Sequence, residues 1–321
     1  MFTQSCLTFG LSHRFTAEEL IQLADILHIP DPLITPNHYC ASALEALALT
    51  CTHLRSSEDQ WALATKYSRP QSAISEITHK VVSFIIQEWD CLLQFDTDQM
   101  FLPESLTRYA AALHTHGAPT CSVVGFLDCT IHPTCRPSMS ETLLLYTGYK
   151  KCHGMKFQAV VVPDGMIAHL AGPYRAPQND AGVLAESRLL KLMCEHAIQP
   201  GSVEGDPPEC HHFQLYGNSA YAVSAILMSP HARVGALTAA EHAWNTEMGE
   251  VRISVEHAFG IVLRDWPFLR TSWKHQVFGT ACGLWYRAAV LLANVHNCFV
   301  PNQTAQCYNC MPPSILEYFH N

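Results

Sequence analysis

Three polar side chains are placed along this chain where they could meet at one site. Asp128 follows an apolar stretch, Asn218 follows another, and Glu256 comes later in a segment with a helical pattern. If all three were carboxylates, their oxygens would suit two Mg²⁺ ions, which keep their other ligand positions for water and phosphate. One ion would activate the attacking water or hydroxyl, and the other would stabilise the leaving oxygen. The spacing would let three such side chains converge over one edge of a sheet, but the middle residue here is an amide.

Each of these residues, taken singly, also has an ordinary structural interpretation. An aspartate at a strand end is often a turn or cap residue, and Asn218 after Gly217 is a normal turn residue. Glu256 lies four residues after Arg252, so a surface pair on a helix would explain it. Only the three residues together, with their flanking motifs, favour a site.

The segments that carry these residues have the pattern of an α/β domain. In chain order we expect a strand over 121–128 that ends at Asp128, a hairpin over 154–172 that turns at Pro163-Asp164-Gly165, a helix over 180–197, a strand over 213–217, a helix over 239–266 and a buried helix over 279–299. Such an order predicts a mixed sheet with flanking helices.

The chain before this domain is predicted to be helical from 14 to about 98. Thr16 with Glu19, and Ser57 with Gln60, have the capping-box pattern of a helix start. A further helix is expected from Gln71, and 106–120 is similar in composition to a linker. We expect three divisions of the chain: a helical region over 1–118, the α/β domain over 119–300 and a C-terminal tail over 301–321.

Two readings of the helical region remain open. The short helix before "SRPQSAISEITHK" and the helix that this stretch begins have the layout of a helix-turn-helix. In that layout Arg69, Gln71, Ser72 and Ser75 would start the recognition helix and meet bases or phosphates. The alternative is a helical bundle that packs on the main domain.

Several ordered motifs in the second part of the chain resemble one family. "GFLDCTIHPTCRP", "YTGYKKCHGMKFQAVVVPDGMIAHLAGP", "QNDAGVLAES", "LYGNSAY" and "VRISVEHAFG" are similar, in order and spacing, to the DDE superfamily endonuclease domain of Harbinger-type transposases. The resemblance covers about residues 121–300. It implies an RNase H-like fold and cleavage of DNA with Mg²⁺ or Mn²⁺, with Asp128 as the first acid and Glu256 as the last.

The chain departs from the family pattern at the second acid. The family has Gly-Asp at this point, whereas the chain has Gly217-Asn218. Asparagine keeps the size and one carbonyl oxygen but loses the charge, and charge count is a main determinant of divalent-ion affinity. We therefore expect weak metal binding and a large loss of cleavage. Asp180 and Asp206 are the acids that could substitute, although Asp180 matches a separate family feature.

Basic residues between the first strand and the hairpin suggest contact with DNA. Lys150, Lys151 and Lys156 could bind phosphates, which positions DNA without reading its sequence. A solvated edge explains them equally well, and the formal net charge of −9 argues mildly against broad coating of nucleic acid. The alternative to a nuclease is a catalytically inactive relative that binds DNA or a protein. The resemblance also implies a separate partner protein that helps to bind DNA.

Composition points to a soluble, intracellular chain, nuclear or cytoplasmic, because neither a signal-peptide pattern nor a membrane-length apolar run is evident. We expect most of the fourteen cysteines to be reduced and buried. A third, distant alternative is a zinc site. Its candidate ligands are Cys307, Cys310, Cys194, His196, Cys210, His211 and His212.

Overall fold

The computed structural model describes residues 13–57, 59–137, 142–231, 236–277, 279 and 281–320, and for residues 142, 143 and 254–256 it describes the backbone alone. Five helices come before the main sheet. They are α1 (Ala17–Leu27), α2 (Ala43–Arg55), α3 (Gln60–Tyr67), α4 (Gln71–Trp89) and α5 (Pro103–Thr115), with a small ladder of β1 (Leu33–Ile34) and β2 (Cys40–Ala41) between the first two. This part of the chain is helical, as predicted.

The starts of these helices test the capping patterns. At α1 the Thr16 side chain accepts from the Glu19 N–H, and the Glu19 carboxylate accepts from the Thr16 N–H, so this capping box is confirmed. The box predicted from Ser57 and Gln60 is wrong, because α3 starts at Gln60 itself and its N-cap is Asp59.

The stretch predicted as a linker is a helix. In α5 the side chains of Leu106, Tyr109 and Leu113 are buried at helical spacing. Gly117 and Pro119, which gave the stretch its linker-like composition, lie just beyond the helix end. The buried apolar stripe therefore decided the local structure.

A mixed sheet and its helices form the rest of the chain. The strands are β3 (Val123–Thr134), β4 (Tyr146–Thr147), β5 (Cys152–Val161), β6 (Ile167–Arg175), β7 (Gln214–Gly217) and β8 (Leu227–Met228). The helices are α6 (Thr142–Leu145), α7 (Asp180–Ser187), α8 (Leu189–His196), α9 (Pro208–His211), α10 (Ala239–Asp265), α11 (Cys282–Phe299), α12 (Gln303–Cys307) and α13 (Ile315–Tyr318). The mixed α/β class is as predicted.

The sheet order is β4–β5–β3–β7–β8, and β6 also pairs with β5. Antiparallel ladders join β3 to β5 and β5 to both β4 and β6, whereas β3–β7 and β7–β8 are parallel. The predicted hairpin is confirmed: β5 and β6 flank the turn at Pro163-Asp164-Gly165, where Gly165 has φ +78°. A residue with a side chain would be strained in that conformation.

Two predicted boundaries were wrong. The strand β3 does not end at Asp128 but continues to Thr134, because β5 supplies an antiparallel partner over its whole second half. The helix predicted over 180–197 is two helices, since Arg188 has φ +57° and interrupts the helical hydrogen bonds between α7 and α8.

The core surrounds α11, most of whose residues are buried, as predicted. One apolar cluster runs from Phe15 before α1 to Phe319 after α13, so the helical region and the sheet share it. The buried cation Arg287 lies inside this region. Its guanidinium donates to the carbonyls of Leu170 and Gly172 and pairs with Asp90 at 2.5 Å.

The thirteen cysteines in the described part are free, as predicted, but most of them are not buried. Only Cys51, Cys282 and Cys310 are buried. Within the described ranges, no helix combines the length and apolar character that crossing a bilayer requires.

Candidate active site

Parallel pairing of β3 with β7 brings two of the predicted site residues together. In the register of the two strands Leu127 is opposite Gly217, so Asp128 and Asn218 are the next residues along neighbouring strands. The Asn218 Nδ2 donates to the Asp128 Oδ1 at 3.2 Å. Residues ninety positions apart in the sequence are therefore in direct contact.

The turn after β7 fixes how Asn218 is oriented. Its Oδ1 accepts from the backbone N–H of Ala220 at 2.8 Å, an Asx-turn contact that holds the amide oxygen on the local backbone. The amide nitrogen is then the atom that faces Asp128. Gly217 leaves room for the buried Tyr221 ring, because a Cβ at position 217 would come within 2.5 Å of that ring.

Asp128 is partly buried and has every oxygen engaged. Its Oδ1 accepts from the Cys129 N–H at 2.8 Å and from Asn218, and its Oδ2 accepts from Arg252 at 3.0 Å. Burial raises the pKa of the Asp128 carboxyl, while the Cys129 N–H and the Arg252 guanidinium act in the opposite direction. Arg252 lies on α10 and is 23% exposed. This ion pair neutralises Asp128 from within the chain.

Glu256 is on the same helix as Arg252, one turn later, or about 6 Å along the helix axis. The Glu256 side chain is outside the described residues. Arg252 pairs with Asp128, and the surface pair suggested for Arg252 and Glu256 therefore lies outside what the structure describes.

The two acids considered as substitutes have partners of their own. Asp180 pairs with Lys156 at 2.7 Å, and the same ammonium donates to the Gln178 carbonyl. Asp206 accepts from the Val203 N–H at 2.8 Å inside its own loop. Neither carboxylate is hydrogen-bonded to Asp128 or Asn218 in the described part of the chain.

A groove of about 720 Å³ lies beside the candidate active site. Its lining includes Cys129 and Ala220, which neighbour the site residues in sequence, together with the pair of Asp180 and Lys156 and the exposed Lys150. Burial raises the pKa of the Cys129 thiol to about 12, which keeps it protonated at neutral pH. The groove therefore offers the exposed Lys150 for contact with an anion, and Cys129 is not a thiolate nucleophile.

The predicted DNA contacts differ in their surroundings. Lys150 and Lys151 are exposed, whereas Lys156 is buried and committed to Asp180. The Arg69 guanidinium makes a bidentate pair with Glu45, at 2.6 and 2.7 Å. Gln71 is exposed at the start of α4 and lines a separate cavity.

The described site residues do not fit a divalent ion in this arrangement. Mg²⁺ needs oxygen ligands with negative charge. The one described carboxylate is paired with Arg252, the Asn218 oxygen is held by Ala220, and an N–H₂ group faces the carboxylate. The charges of Asp128 and Arg252 cancel.

A different acidic group lies elsewhere. Across the described ranges, only Asp96, Asp98 and His320 place three potential ligand atoms of His, Cys, Asp or Glu within 4.8 Å of one another. Local contacts explain this group, since Asp96 accepts from the Asp98 N–H and pairs with His320. Within the described ranges, the cysteines and histidines considered as zinc ligands form no such group.

The sequence interpretation missed the role of Arg252 and Tyr221. Both lie in the motifs that carry the resemblance, "VRISVEHAFG" and "LYGNSAY". Their position in those motifs was the available signal, but their contacts depend on how α10 and β7 meet.

The model of a family described as DDE superfamily endonuclease matches residues 127–294, which is more than half of the chain. No curated protein and no solved structure matches the chain. The match confirms the resemblance at the level of the superfamily, and the Harbinger type stays a prediction.

Proposed function

The chain belongs to the DDE superfamily endonuclease family, and on that premise we propose that it is a transposase-derived domain whose metal-dependent cleavage of DNA is strongly weakened by Asn218. Endonuclease domains of this family use divalent metals and imply DNA as the substrate. The motifs support assignment to the Harbinger type. A DNA substrate also favours a nuclear over a cytoplasmic location.

The proposal extends to the architecture. We assign an RNase H-like fold to 119–300, a helix-turn-helix-like region to 1–118 and a tail to 301–321. The mixed sheet, with parallel β3 and β7 at its centre, supports the first assignment. The helices α3 and α4 support the second, since a short turn joins them.

The proposal that cleavage is weakened rests on one observation, the set of contacts to Asp128. The Asn218 amide donates to Asp128 at 3.2 Å, and Arg252 donates to the other oxygen of the same carboxylate at 3.0 Å. A carboxylate at 218 would face Asp128 with like charge, so that the pair would attract a divalent cation. The amide replaces that attraction by a hydrogen bond.

The test restores the missing charge. We expect Asn218→Asp to raise the rate of plasmid nicking in Mg²⁺ or Mn²⁺ by at least about tenfold, or about 1.4 kcal/mol in the barrier. Asn218→Ala is the matched control, because it removes the amide without supplying a charge. The gain should disappear when Asp128→Asn or Glu256→Gln is added to Asn218→Asp. An equal gain in the alanine variant would contradict the proposal.

The second candidate is a domain that binds DNA or a protein and performs no chemistry. The ion pair of Asp128 with Arg252 favours it, because the carboxylate is neutralised without a metal. Lys150 and Lys151 would then contact phosphates, with a separate partner protein supplying recognition. Such a chain would nick DNA in none of the variants above, while its affinity for DNA would fall steeply with salt.

A further inference from the structure

A second cavity lies beside the start of α4. Its volume is about 770 Å³, inside the range of about 300 to 1,000 Å³ typical of small-ligand sites. The end of α2, the starts of α3 and α4, and the segment before α11 form its walls. Its lining residues are all different from those of the candidate active site and of the groove beside that site.

A buried histidine in this wall has an unused hydrogen-bonding atom. His53 is only 5% exposed, and its Nδ1 has no hydrogen-bond partner among the described residues. Its ring packs against Phe268 at 4.5 Å and Trp285 at 5.3 Å between centroids. Burial lowers the pKa of His53 to about 4, so the imidazole is neutral at physiological pH. The Nδ1 itself is enclosed by the fold, so His53 contributes an aromatic wall to the cavity and no hydrogen-bonding atom.

The other lining groups suit a flat ring with polar edges. Trp61 is 71% exposed, although it is a large apolar side chain, and it lines the cavity together with Trp285. The side chains of Gln60, Gln71 and Ser75 add amide and hydroxyl groups to the same wall. Aromatic faces stack on planar bases, and amides pair with base edges.

The charges at the cavity balance. Lys274 pairs with Asp59 at 3.0 Å and also donates to the Ser57 carbonyl at 3.0 Å. The lysine is therefore committed, and the pair contributes no net charge. This arrangement favours a neutral ring over a phosphate group.

We propose that this cavity binds a nucleobase, stacked on Trp61 and hydrogen-bonded by the side-chain amides of Gln60 and Gln71. The base could come from an unpaired position in a DNA strand or from a free nucleoside. The strand as source rests on the proposed function, because it requires that DNA is the substrate. Gln71 and Ser75, predicted as the start of a recognition helix, would then contact a base that has left the helical stack.

The experiment compares two exposed tryptophans. The probes are a short single-stranded oligodeoxyadenylate, the same strand paired with its complement, and deoxyadenosine alone. Affinity is measured by fluorescence anisotropy for the strands and by calorimetry for the nucleoside. Trp61→Ala should weaken binding of the single strand about 5- to 100-fold, the range expected for one lost stacking contact. Trp273→Ala is the matched control, since Trp273 is 67% exposed and does not line the cavity.

A second variant tests the hydrogen bond. Gln71→Leu keeps a side chain of similar size but removes the amide, and it should also weaken binding of the single strand, with thermal unfolding checking that the variant is folded. Loss of nucleoside binding in Trp61→Ala would assign the cavity to free nucleosides as well as strands. Binding of the single strand alone, lost in the same variant, would assign it to strands.

Three results would overturn the proposal: binding of none of the three probes, equal affinities in the two tryptophan variants, or a loss confined to the paired strand. Its failure is separable from failure of the proposed function. Nicking by Asn218→Asp depends on residues outside the cavity, so that gain can appear whether or not the cavity binds a base.

Discussion

At the scale of single residues, the exchange of oxygen for nitrogen at position 218 changes what the neighbouring carboxylate needs. An amide gives Asp128 a donor, and Arg252 gives it a counter-charge. Two facing carboxylates would instead require a cation between them. Asn218 and Arg252 together thus satisfy the Asp128 carboxylate without a bound cation.

The ion pair of Asp128 and Arg252 should be worth more than a surface pair, because the side chains are only 15% and 23% exposed. In a double-mutant cycle with Asp128→Asn and Arg252→Gln, we expect a coupling free energy of about 1 to 3 kcal/mol, measured by urea unfolding. The matched cycle at the exposed pair of Lys191 and Glu195 should give less than about 0.5 kcal/mol. Equal couplings would show that the first pair is not protected from solvent.

At the scale of elements, the turn that follows β7 depends on one glycine. A Cβ at Gly217 would lie 2.5 Å from the Tyr221 ring, which is buried. Gly217→Ala should therefore lower the free energy of unfolding by about 1 to 3 kcal/mol, measured by urea unfolding, because the ring must move out of a packed position.

The matched control for this change is Gly249→Ala inside α10, where nothing lies within 4 Å of the new Cβ. Alanine is the better helix former, so that variant should gain about 0.5 to 1 kcal/mol. A loss at position 249 as large as that at 217 would mean that steric contact with Tyr221 is not the cause.

Local patterns predicted elements better than their ends. The capping box at Thr16 and the turn at Asp164 were readable because their geometry depends on a few neighbouring residues. The extension of β3 past Asp128 depends on pairing with β5, and the break at Arg188 depends on a backbone conformation that its residue type does not favour. The contact of Asp128 with Asn218 was predicted by placing both residues at strand ends, but it arises from the parallel register of β3 with β7, since β3 continues past Asp128. Arg252 became the other partner of Asp128 through tertiary packing of α10.

At the scale of the whole molecule, the core includes several histidines that the fold keeps neutral. Burial lowers the pKa of His53, His169 and His296 to about 4, and that of His132 to about 3. In the unfolded chain these groups titrate near 6.5. Between these values the unfolded chain binds more protons than the folded one, so the free energy of unfolding must fall as pH falls. The buried Asp164, whose pKa burial raises to about 6, acts in the opposite direction.

The four histidines outnumber the two carboxyls with raised pKa values, Asp164 and Asp128, so we expect a net loss of stability in acid. We expect the free energy of unfolding, measured by urea denaturation, to fall from pH 7 to pH 5. Each histidine contributes a limiting slope of about 1.4 kcal/mol per pH unit. Within the described structure, His132 has no hydrogen-bond partner for either ring nitrogen. His132→Phe should therefore make the slope of the unfolding free energy with pH shallower by up to about 1.4 kcal/mol per pH unit. The same substitution at His242, which is exposed, is the matched control and should leave the slope unchanged. If His132→Phe left the slope as steep as in the parent chain, the neutral core histidine would not be a source of the acid sensitivity.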